Sequence, residues 1–521
     1  MLLSLGTSSL SVRSTARADT AASGIARTAA AATGYACQCL GCQAVARATV
    51  AGSPAAKSGS YTAARAAAVP VSYTDTIKKT GTKSVDALLA GGNRWFHATG
   101  ADGSVPSSVA RTSLTYSFIA STSGLNAMDA NGFEPLGSGQ RDVVRRALNY
   151  IATVVGVSFT EVDSGGDIRY GANTQASSAG YARYPNEGSQ VFLAKNQGSF
   201  EGDWSEGSYE WQVLLHETGH ALGLKHPGNY NAGGGGTAGP YLARADDHRG
   251  NTLMSYYNAS SMKRVVYDNG SFQSSQVNAD TLQAYDIAAL QYLYGAPTAQ
   301  AATYQWSDGQ AMSQTIWNNN PGSRIDLSNQ TRGNVVDLRA GNKSSIGLRD
   351  AYADMPFTKA EYARLKSGGR TISSLVGTPT YTGQNNLTIA KGSQINGATG
   401  GSGNDTFVGN SGTNTLDGGS GNDRFFVGLG NASVTGGEGT DVAYLAKKSG
   451  YTWRLSADHG TATLSRTDPR TRAVTTFASV SLQGIEQVRL WDGKSLKATG
   501  SALYNAVAGS AGAAPALHAV A

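Results

Sequence analysis

Residues 216–226 read HETGHALGLKH, and this stretch decides the fold of the N-terminal half of the chain. His216 and His220 are four residues apart, so on a helix both imidazoles project from one face and can reach one ion. Gly223 can adopt a positive φ angle, which ends the helix and turns the chain so that His226 returns as a third ligand. Three neutral imidazoles leave one position of a tetrahedral zinc ion open for water, which is typical of a catalytic site.

Glu217 directly follows the first histidine, where its carboxylate can deprotonate that water. The shorter pattern HExxH also occurs by chance, and the alternative interpretation is a helix that carries surface histidines. That alternative does not need Gly223 and His226 in register, and three of the seven histidines fall in this one window. We therefore predict a catalytic centre with one zinc ion, with His216, His220 and His226 as ligands and Glu217 as general base.

The sequence around this motif predicts an α+β domain over residues 72–296. Apolar residues at helical spacing predict helices at 141–155, 210–223 and 280–294, and a helical pattern begins near Ser84. Runs of β-forming residues predict strands at 113–119, 157–162 and 190–193. Ala296 and Pro297 interrupt the pattern, so we place the domain boundary there.

Residues 400–444, within a β-rich segment predicted at 297–445, repeat with a period of nine. The stretches that begin at Gly400, Gly418 and Gly436 fit G-G-x-G-x-D-x-U-x, the RTX nonapeptide that winds a parallel β-roll around Ca²⁺. Glycine permits turns whose carbonyls point inward, and the aspartate adds a carboxylate for a hard cation. The predicted calcium residues are Asp405, Asp423, Asp441, Gly401, Gly403, Gly419 and Gly421. A flexible linker is the alternative, but the phase of nine holds over five units.

The period also predicts where the calcium ions lie. Each coil needs two nonapeptides, so turns 18 residues apart share one side of the roll. The three intact turns therefore share one face, and we expect about two calcium ions there. The degenerate turns at Gly409 and Val427 lie opposite, where Asn414 is a candidate for a weak third site. The eighth residues of the units are all apolar and are predicted to stack inside the roll: Phe407, Leu416, Phe425, Val434 and Ala443.

The N-terminal half resembles the metzincin metallopeptidases and, within them, the serralysins. The resemblance is carried by the extended zinc motif, by HPGNYN at 226–231, by MSYY at 254–257 and by YDIAALQYLYGA at 285–296. It implies that Met254 forms a turn beneath the zinc. It also implies that Tyr256 is a further zinc ligand, one that swings away to stabilise the oxyanion. The implied activity is that of a secreted zinc metalloendopeptidase acting on protein or peptide substrates.

RTX rolls belong to proteins exported unfolded by type I secretion machinery, and calcium outside the cell would then fold the roll. This resemblance implies a C-terminal β module with an export signal at 446–521, although the Ala-rich ending departs from the family pattern. The competing class of function is a non-enzymatic RTX adhesion or surface protein with a relict zinc site. The intact Glu217 argues against that class.

The net charge of +6 does not indicate a nucleic-acid partner, because residues 1–70 carry +5 of it. Residues 1–71 read as a disordered leader or pro-segment. We predict no membrane-spanning segment, since no run of 18 apolar residues occurs, and we expect a monomer.

Cys37, Cys39 and Cys42 are the only cysteines. We interpret them as leader residues without a role, and the alternative is a zymogen thiolate that binds the catalytic zinc. His248 is interpreted as a loop residue rather than a ligand. The remaining histidines, His97, His459 and His518, are expected to be solvated.

Overall fold

The computed structural model describes residues 36–38, 73–74, 78–90, 94–95, 112–185, 189–196, 200, 202, 204–231, 235–259, 262–268, 271–349, 360, 363, 367 and 381–491. All of them belong to the unit that begins at Ala36. Most of the predicted leader, His97, His518, Cys39 and Cys42 lie outside the described residues, as does the predicted export signal beyond residue 491.

The N-terminal half is a mixed sheet packed against helices. Its helices are α1 Lys83–Asp86, α2 Ala127–Ala130, α3 Ser138–Val154, α4 Tyr209–Ala221 and α5 Ala284–Tyr294. Its strands are β1 Ala36–Gln38, β2 Tyr73–Thr74, β3 Arg94–Trp95, β4 Thr112–Phe118, β5 Val157–Glu161, β6 Ile168–Asn173, β7 Gly180–Arg183, β8 Ser189–Ala194, β9 Lys263–Asp268 and β10 Ser271–Gln276. Six strands form one sheet in the order β1-β7-β8-β6-β4-β5, and the pairs β2–β3 and β9–β10 stand apart from it. Within the sheet, β7 is antiparallel to β8, and the backbone of β1 pairs antiparallel with β7.

Apolar spacing explains why α3 lies on this sheet. Its buried positions, Val143, Val144, Ala147, Leu148, Ile151 and Val154, recur at helical spacing and form one face. The start of α3 is fixed by Gln140, whose side-chain oxygen accepts the backbone N–H of Gly137 at 2.9 Å. The predicted helix at 141–155 therefore begins three residues earlier, at Ser138, and ends at Val154.

The helix predicted at 280–294 begins four residues later, at Ala284. The backbone N–H of Asp280 donates to the carbonyl of Ser313, and the N–H of Thr315 donates to the hydroxyl of Thr281 at 2.7 Å. Residues 280 and 281 are thus held by the neighbouring segment 313–315 rather than by a helical turn. Periodicity along the sequence does not contain that tertiary contact.

The C-terminal half is built almost entirely of short strands. They are β11 Thr303–Tyr304, β12 Gln314–Ile316, β13 Ser323–Asp326, β14 Val335–Asp337, β15 Lys343–Ser344, β16 Leu387–Ile389, β17 Ile395–Thr399, β18 Thr406–Val408, β19 Asn414–Ser420, β20 Arg424–Val427, β21 Ala432–Glu438, β22 Val442–Leu445, β23 Thr452–Leu455, β24 Thr461–Thr467, β25 Val474–Gln483 and β26 Gln487–Leu490. Two sheets carry the roll, with orders β11-β13-β17-β19-β21-β25-β24-β23 and β14-β18-β20-β22-β26, and β12, β16 and β15 form a third, smaller sheet.

The register of the roll follows the 18-residue coil. Leu416 pairs with Val434, and Phe407 pairs with Phe425, each 18 residues further along. The five predicted interior residues are all buried, and the rings of Phe407 and Phe425 stack at 5.3 Å. The prediction of an all-β parallel roll is therefore confirmed.

The parallel ladders extend beyond the nonapeptides at both ends. Before them, β13 pairs with β17 and β14 pairs with β18. After them, β25 pairs with β21 and β26 pairs with β22. Coils without the repeat motif therefore flank the repeat on both sides. The antiparallel hairpin β23–β24 precedes the last coil in sequence, and β24 pairs antiparallel with β25, so the hairpin extends the same sheet. In the part of the chain that the structure describes, no helix is both long and apolar enough to cross a bilayer.

Candidate metal centre and calcium face

Helix α4 carries the first two histidines of the zinc motif into the core. The hydroxyl of Ser208 accepts the backbone N–H of Trp211 at 3.0 Å and caps the start of the helix. The helix ends at Ala221, and Gly223 adopts a φ of +100°, as the sequence predicted. The N–H of Leu224 then donates to the carbonyl of Gly219 at 2.9 Å, which turns the chain back along the helix end.

The Nε2 atoms of the three histidines meet at one point. The distance is 3.1 Å between His216 and His220, 3.2 Å between His220 and His226, and 3.3 Å between His226 and His216. Tetrahedral ligands about 2.0–2.1 Å from a zinc ion are about 3.4 Å apart. Within the described residues this is the one place where three or more side chains of His, Cys, Asp or Glu lie close enough together to share an ion. All three side chains are buried, so the triangle has the size and the chemistry that zinc requires.

The other nitrogen of each ring is held by a carbonyl oxygen. Nδ1 of His216 lies 2.8 Å from the carbonyl of Leu253, and Nδ1 of His220 lies 2.7 Å from the carbonyl of Leu224. Because a carbonyl only accepts, each Nδ1 must carry the proton, and Nε2 presents its lone pair to the centre.

His226 is oriented in the same way by a side chain. Its Nδ1 lies 2.8 Å from Oδ1 of Asn231 and 3.1 Å from the carbonyl of Tyr230. Burial lowers the pKa of His216 and His226 well below the usual histidine range, and the neighbouring imidazoles lower it further. Neutral rings with converging lone pairs are the form in which histidine binds a metal.

Glu217 lies inside the same helix and is fully buried. Its side chain passes close to the backbone of Gly180 in β7, where a Cβ atom would lie 2.8 Å from Cγ of Glu217 and 3.1 Å from Oε1. The absence of a side chain at residue 180 therefore leaves the space that the Glu217 carboxylate occupies. Sequence reasoning identified Glu217 but gave no signal for Gly180.

A turn at residues 252–255 lies against α4, the helix that carries His216 and His220. Met254 is fully buried, and its sulfur would lie 3.0 Å from a Cβ atom on Gly219, between the two helical histidines. Asp286 of α5 fixes this turn, since its carboxylate accepts the hydroxyl of Thr252 at 2.6 Å and the N–H of Leu253 at 2.7 Å. Leu253 in turn holds His216, so Asp286 positions a histidine that it does not touch.

Tyr256 lies half-buried beside the third histidine. Its ring centroid is 4.5 Å from that of His226 and 4.6 Å from that of Tyr230. The hydroxyl of Tyr230 donates to Asp247 at 2.8 Å, and the hydroxyl of Ser255 donates to the same carboxylate at 2.6 Å. Asp247 thus joins the two segments that surround Tyr256. The structure brings Tyr256 to the site, and no sequence signal pointed to Asp247.

Two other histidines lie away from the cluster. His248 accepts the N–H of Gly250 through Nδ1 at 3.2 Å, and its Nε2 lies 3.2 Å from Nδ2 of Asn251. It is therefore a loop residue, as interpreted from the sequence. His459 lies in the turn between β23 and β24, where its φ is +61°.

The three predicted calcium aspartates share one face of the roll and are fully buried. Burial, together with the charges of Asp405 and Asp441, raises the pKa of Asp423 to about 7. Backbone pairing aligns Gly419 with Gly437, so the turns stack as the 18-residue spacing predicts.

The opposite face is closed by amides. Nδ2 of Asn414 donates to Oδ1 of Asn410 at 2.8 Å, and Nδ2 of Asn410 donates to the carbonyl of Ile395 at 2.9 Å. These neutral groups satisfy one another, in contrast to the aspartates on the first face. The suggestion of a weak third calcium ion at Asn414 stays a prediction.

Comparison with known proteins agrees with both halves. Residues 147–266 match the Reprolysin_5 family, metallo-peptidase family M12, and residues 399–434 match the RTX calcium-binding nonapeptide repeat. Metallopeptidase AprA of Pseudomonas marginalis is 30% identical over 318 residues, which are 56% of this chain and 59% of that protein. Metalloprotease AprA of Pseudomonas entomophila is 30% identical over 309 residues, 56% of this chain and 58% of that protein.

Serralysin of Proteus mirabilis is 28% identical over 244 residues, which are 40% of this chain and 48% of that protein. The chain thus spans between about half and three-fifths of the length of these relatives. A metallopeptidase domain implies zinc, the RTX repeats imply calcium, and the histidine triangle fits the former. Together, the histidine geometry, the two family matches and these relatives show that the chain is similar to serralysin-type metzincins in its N-terminal half and matches RTX calcium-binding repeats in its C-terminal half.

Proposed function

We propose that this chain is a secreted zinc-dependent endopeptidase that hydrolyses peptide bonds in extracellular proteins. The observation that carries the proposal is the triangle of Nε2 atoms 3.1–3.3 Å apart, next to the buried carboxylate of Glu217. We propose His216, His220 and His226 as the zinc ligands. A zinc ion bound there would supply Lewis acidity for the activation of water and of the peptide carbonyl.

The protein residues handle the proton and the developing charge. Glu217 takes a proton from the attacking water and passes it to the leaving amine, as a general base and then a general acid. The Tyr256 hydroxyl donates to the oxygen of the scissile carbonyl as negative charge develops on it. Three acceptors keep the imidazole rings in the tautomer that leaves Nε2 free of a proton. They are the carbonyls of Leu253 and Leu224 and the side chain of Asn231.

The test is Glu217→Gln, which keeps the size of the side chain but removes the base. Casein or a fluorogenic peptide should be cleaved about 10²–10⁴-fold more slowly, while one zinc ion per chain remains by metal analysis. Glu206→Gln, an exposed substitution just before α4, serves as the control and should retain full activity. Undiminished cleavage by Glu217→Gln would refute this role, and a zinc-loaded wild type without any cleavage would favour the non-enzymatic RTX alternative.

We propose that the C-terminal half binds structural calcium on the face of Asp405, Asp423 and Asp441. The ligands would be these carboxylates and the carbonyls of the turn glycines Gly401, Gly403, Gly419 and Gly421, giving about two ions between the intact turns. Buried carboxylates without a cation disfavour the folded roll, so calcium should fold it. Circular dichroism during EGTA titration should show loss of β structure, and a spectrum indifferent to EGTA would contradict the proposal.

We further propose export by type I secretion machinery to a calcium-rich exterior, as a monomer. The RTX match supports export in an unfolded state, because the roll would fold only where calcium is abundant. Residues 446–521 are the proposed carrier of the signal. Deletion of residues 492–521 should stop export from a host that carries the transporter, and undiminished export would place the signal elsewhere.

A further inference from the structure

The calcium face of the roll carries a ladder of carboxylates. The N–H of Asp405 donates to Oδ1 of Asp423 at 2.7 Å, and the N–H of Asp423 donates to Oδ1 of Asp441 at 2.8 Å. The N–H of Asp441 donates in the same way to Oε2 of Glu486 at 2.7 Å. The first two steps span 18 residues and belong to the nonapeptides, whereas the last spans 45 and reaches a residue outside them. Glu486 therefore occupies the position of a fourth ladder aspartate.

Two ladder carboxylates each leave one oxygen without a hydrogen-bond partner among the described residues. These oxygens are Oδ2 of Asp423 and Oδ2 of Asp441, and both residues are fully buried. Asp405 differs, since its Oδ2 accepts the N–H of Gly401 at 2.9 Å. A buried carboxylate oxygen without a donor is costly, and a cation that prefers oxygen ligands removes the cost.

Backbone carbonyls stand beside these oxygens in a repeating arrangement. A Cβ atom on Gly418 would touch both Oδ2 of Asp423 and the carbonyl oxygen of Gly436, the first glycine of the next turn. A Cβ atom on Gly436 would likewise touch Oδ2 of Asp441 and the carbonyl oxygen of Gly484. Gly484 thus supplies the carbonyl that a further nonapeptide would supply, and its φ of +59° is one that glycine adopts readily.

The coil formed by β25 and β26 brings these two residues into place. Its strands pair in parallel with β21 and β22, and residues 484–486 form the turn between them. Glu486 is exposed, so water can complete the coordination of an ion on that side. This turn is shorter than a nonapeptide turn. Glutamate has a longer side chain than aspartate, and its carboxylate still reaches the backbone N–H of Asp441.

We propose that Asp441, the carbonyl of Gly484 and the carboxylate of Glu486 form a further calcium site, at the C-terminal end of the roll. The inference rests on the proposal that the roll binds calcium, and it adds one ion beyond those held between nonapeptides. This ion joins the last coil, formed by β25 and β26, to the repeat. Folding of that coil therefore depends on calcium.

The N-terminal end of the ladder is closed differently. The backbone N–H of Asn334 donates to Oδ1 of Asp405 at 2.7 Å, and Nδ2 of Asn334 donates to the same oxygen at 2.8 Å. An uncharged amide that donates protons satisfies a carboxylate without a cation. The extra site is therefore expected only at the end that carries Glu486.

The experiment is a calorimetric titration of the calcium-free full-length protein with CaCl₂. Glu486→Gln keeps an oxygen that accepts the N–H of Asp441 but removes the charge, so a pure capping role predicts no change. We expect the variant to bind one calcium ion fewer, or that ion at least tenfold more weakly. Glu438→Gln removes a charge from an exposed side chain of the last nonapeptide, which also contains Asp441. It is the matched control and is expected to titrate as wild type.

A second readout locates the ion. Hydrogen exchange of peptides covering residues 484–490 should slow on calcium addition in wild type and in Glu438→Gln, but much less in Glu486→Gln. Glu486→Asp restores the charge on a shorter side chain and should recover part of the protection. Equal stoichiometry and affinity in Glu486→Gln and wild type would overturn the site while leaving the nonapeptide sites intact. A wild type that binds no calcium would overturn the calcium assignment of the whole roll.

Discussion

Gly180→Ala should disable catalysis without disturbing the metal ligands. The added Cβ atom would lie 2.8 Å from Cγ and 3.1 Å from Oε1 of Glu217. Carbon atoms in contact are normally about 3.5–4.0 Å apart, so the overlap is roughly 0.7–1.2 Å. Glu217 is fully buried and cannot move into solvent, so it must shift within the site. Such overpacking costs about 1–3 kcal/mol of stability, and a displacement of about 1 Å lowers the rate roughly 10²-fold.

The assay is kcat/KM on a fluorogenic peptide, with zinc content measured on the same samples. Gly171→Ala, in β6 of the same sheet, is the matched control, because the nearest atoms to its Cβ would be ring carbons of Phe133 and Phe192 at 3.2 Å rather than Glu217. It should lose stability and keep its activity. Wild-type kcat/KM in zinc-loaded Gly180→Ala would refute the reasoning, as would loss of zinc, which would place the effect at the histidines instead.

Three further substitutions test other contacts. Asp286→Asn places an amide against the N–H of Leu253, so it should lower the free energy of unfolding in urea by about 1–3 kcal/mol. It should also weaken zinc binding in a competition with a chelator. Unchanged values of both would contradict the positioning role. Burial raises the pKa of Asp280 to about 7 from its usual 3.8, so the folded state binds the proton more tightly than the unfolded state. The contribution of Asp280 to the free energy of unfolding therefore falls as the pH rises between those two values. Asp280→Asn should therefore gain stability relative to wild type from pH 4 to pH 8 in urea unfolding, and a constant difference would refute the sign. Phe425→Ala should cost the calcium-loaded roll about 3–5 kcal/mol, against about 1 or less for exposed Phe477→Ala, and equal losses by calorimetry would exclude a packed roll interior.

Local sequence patterns predicted much of the candidate site. The i, i+4 histidines and Gly223 define a helix and its end over eleven residues, and that geometry needs little help from the rest of the chain. Tyr256 was reached only through a family resemblance. Sequence reasoning missed three residues of the site. Gly180 acts by leaving space for Glu217, and the buried carboxylates of Asp247 and Asp286 act through contacts with residues elsewhere in the chain, which no local pattern shows.

The repeat shows the same division. The nine-residue period by itself determined a roll, its interior residues and the face that carries Asp405, Asp423 and Asp441, since each nonapeptide repeats one backbone conformation. Only the tertiary structure decided where the coils begin and end. Glu486 joins the ladder because parallel pairing of β25 and β26 carries it there, 45 residues from Asp441. A period describes contacts between equal units, whereas the coil that closes the roll is specified by strand pairing, which has no fixed spacing along the chain.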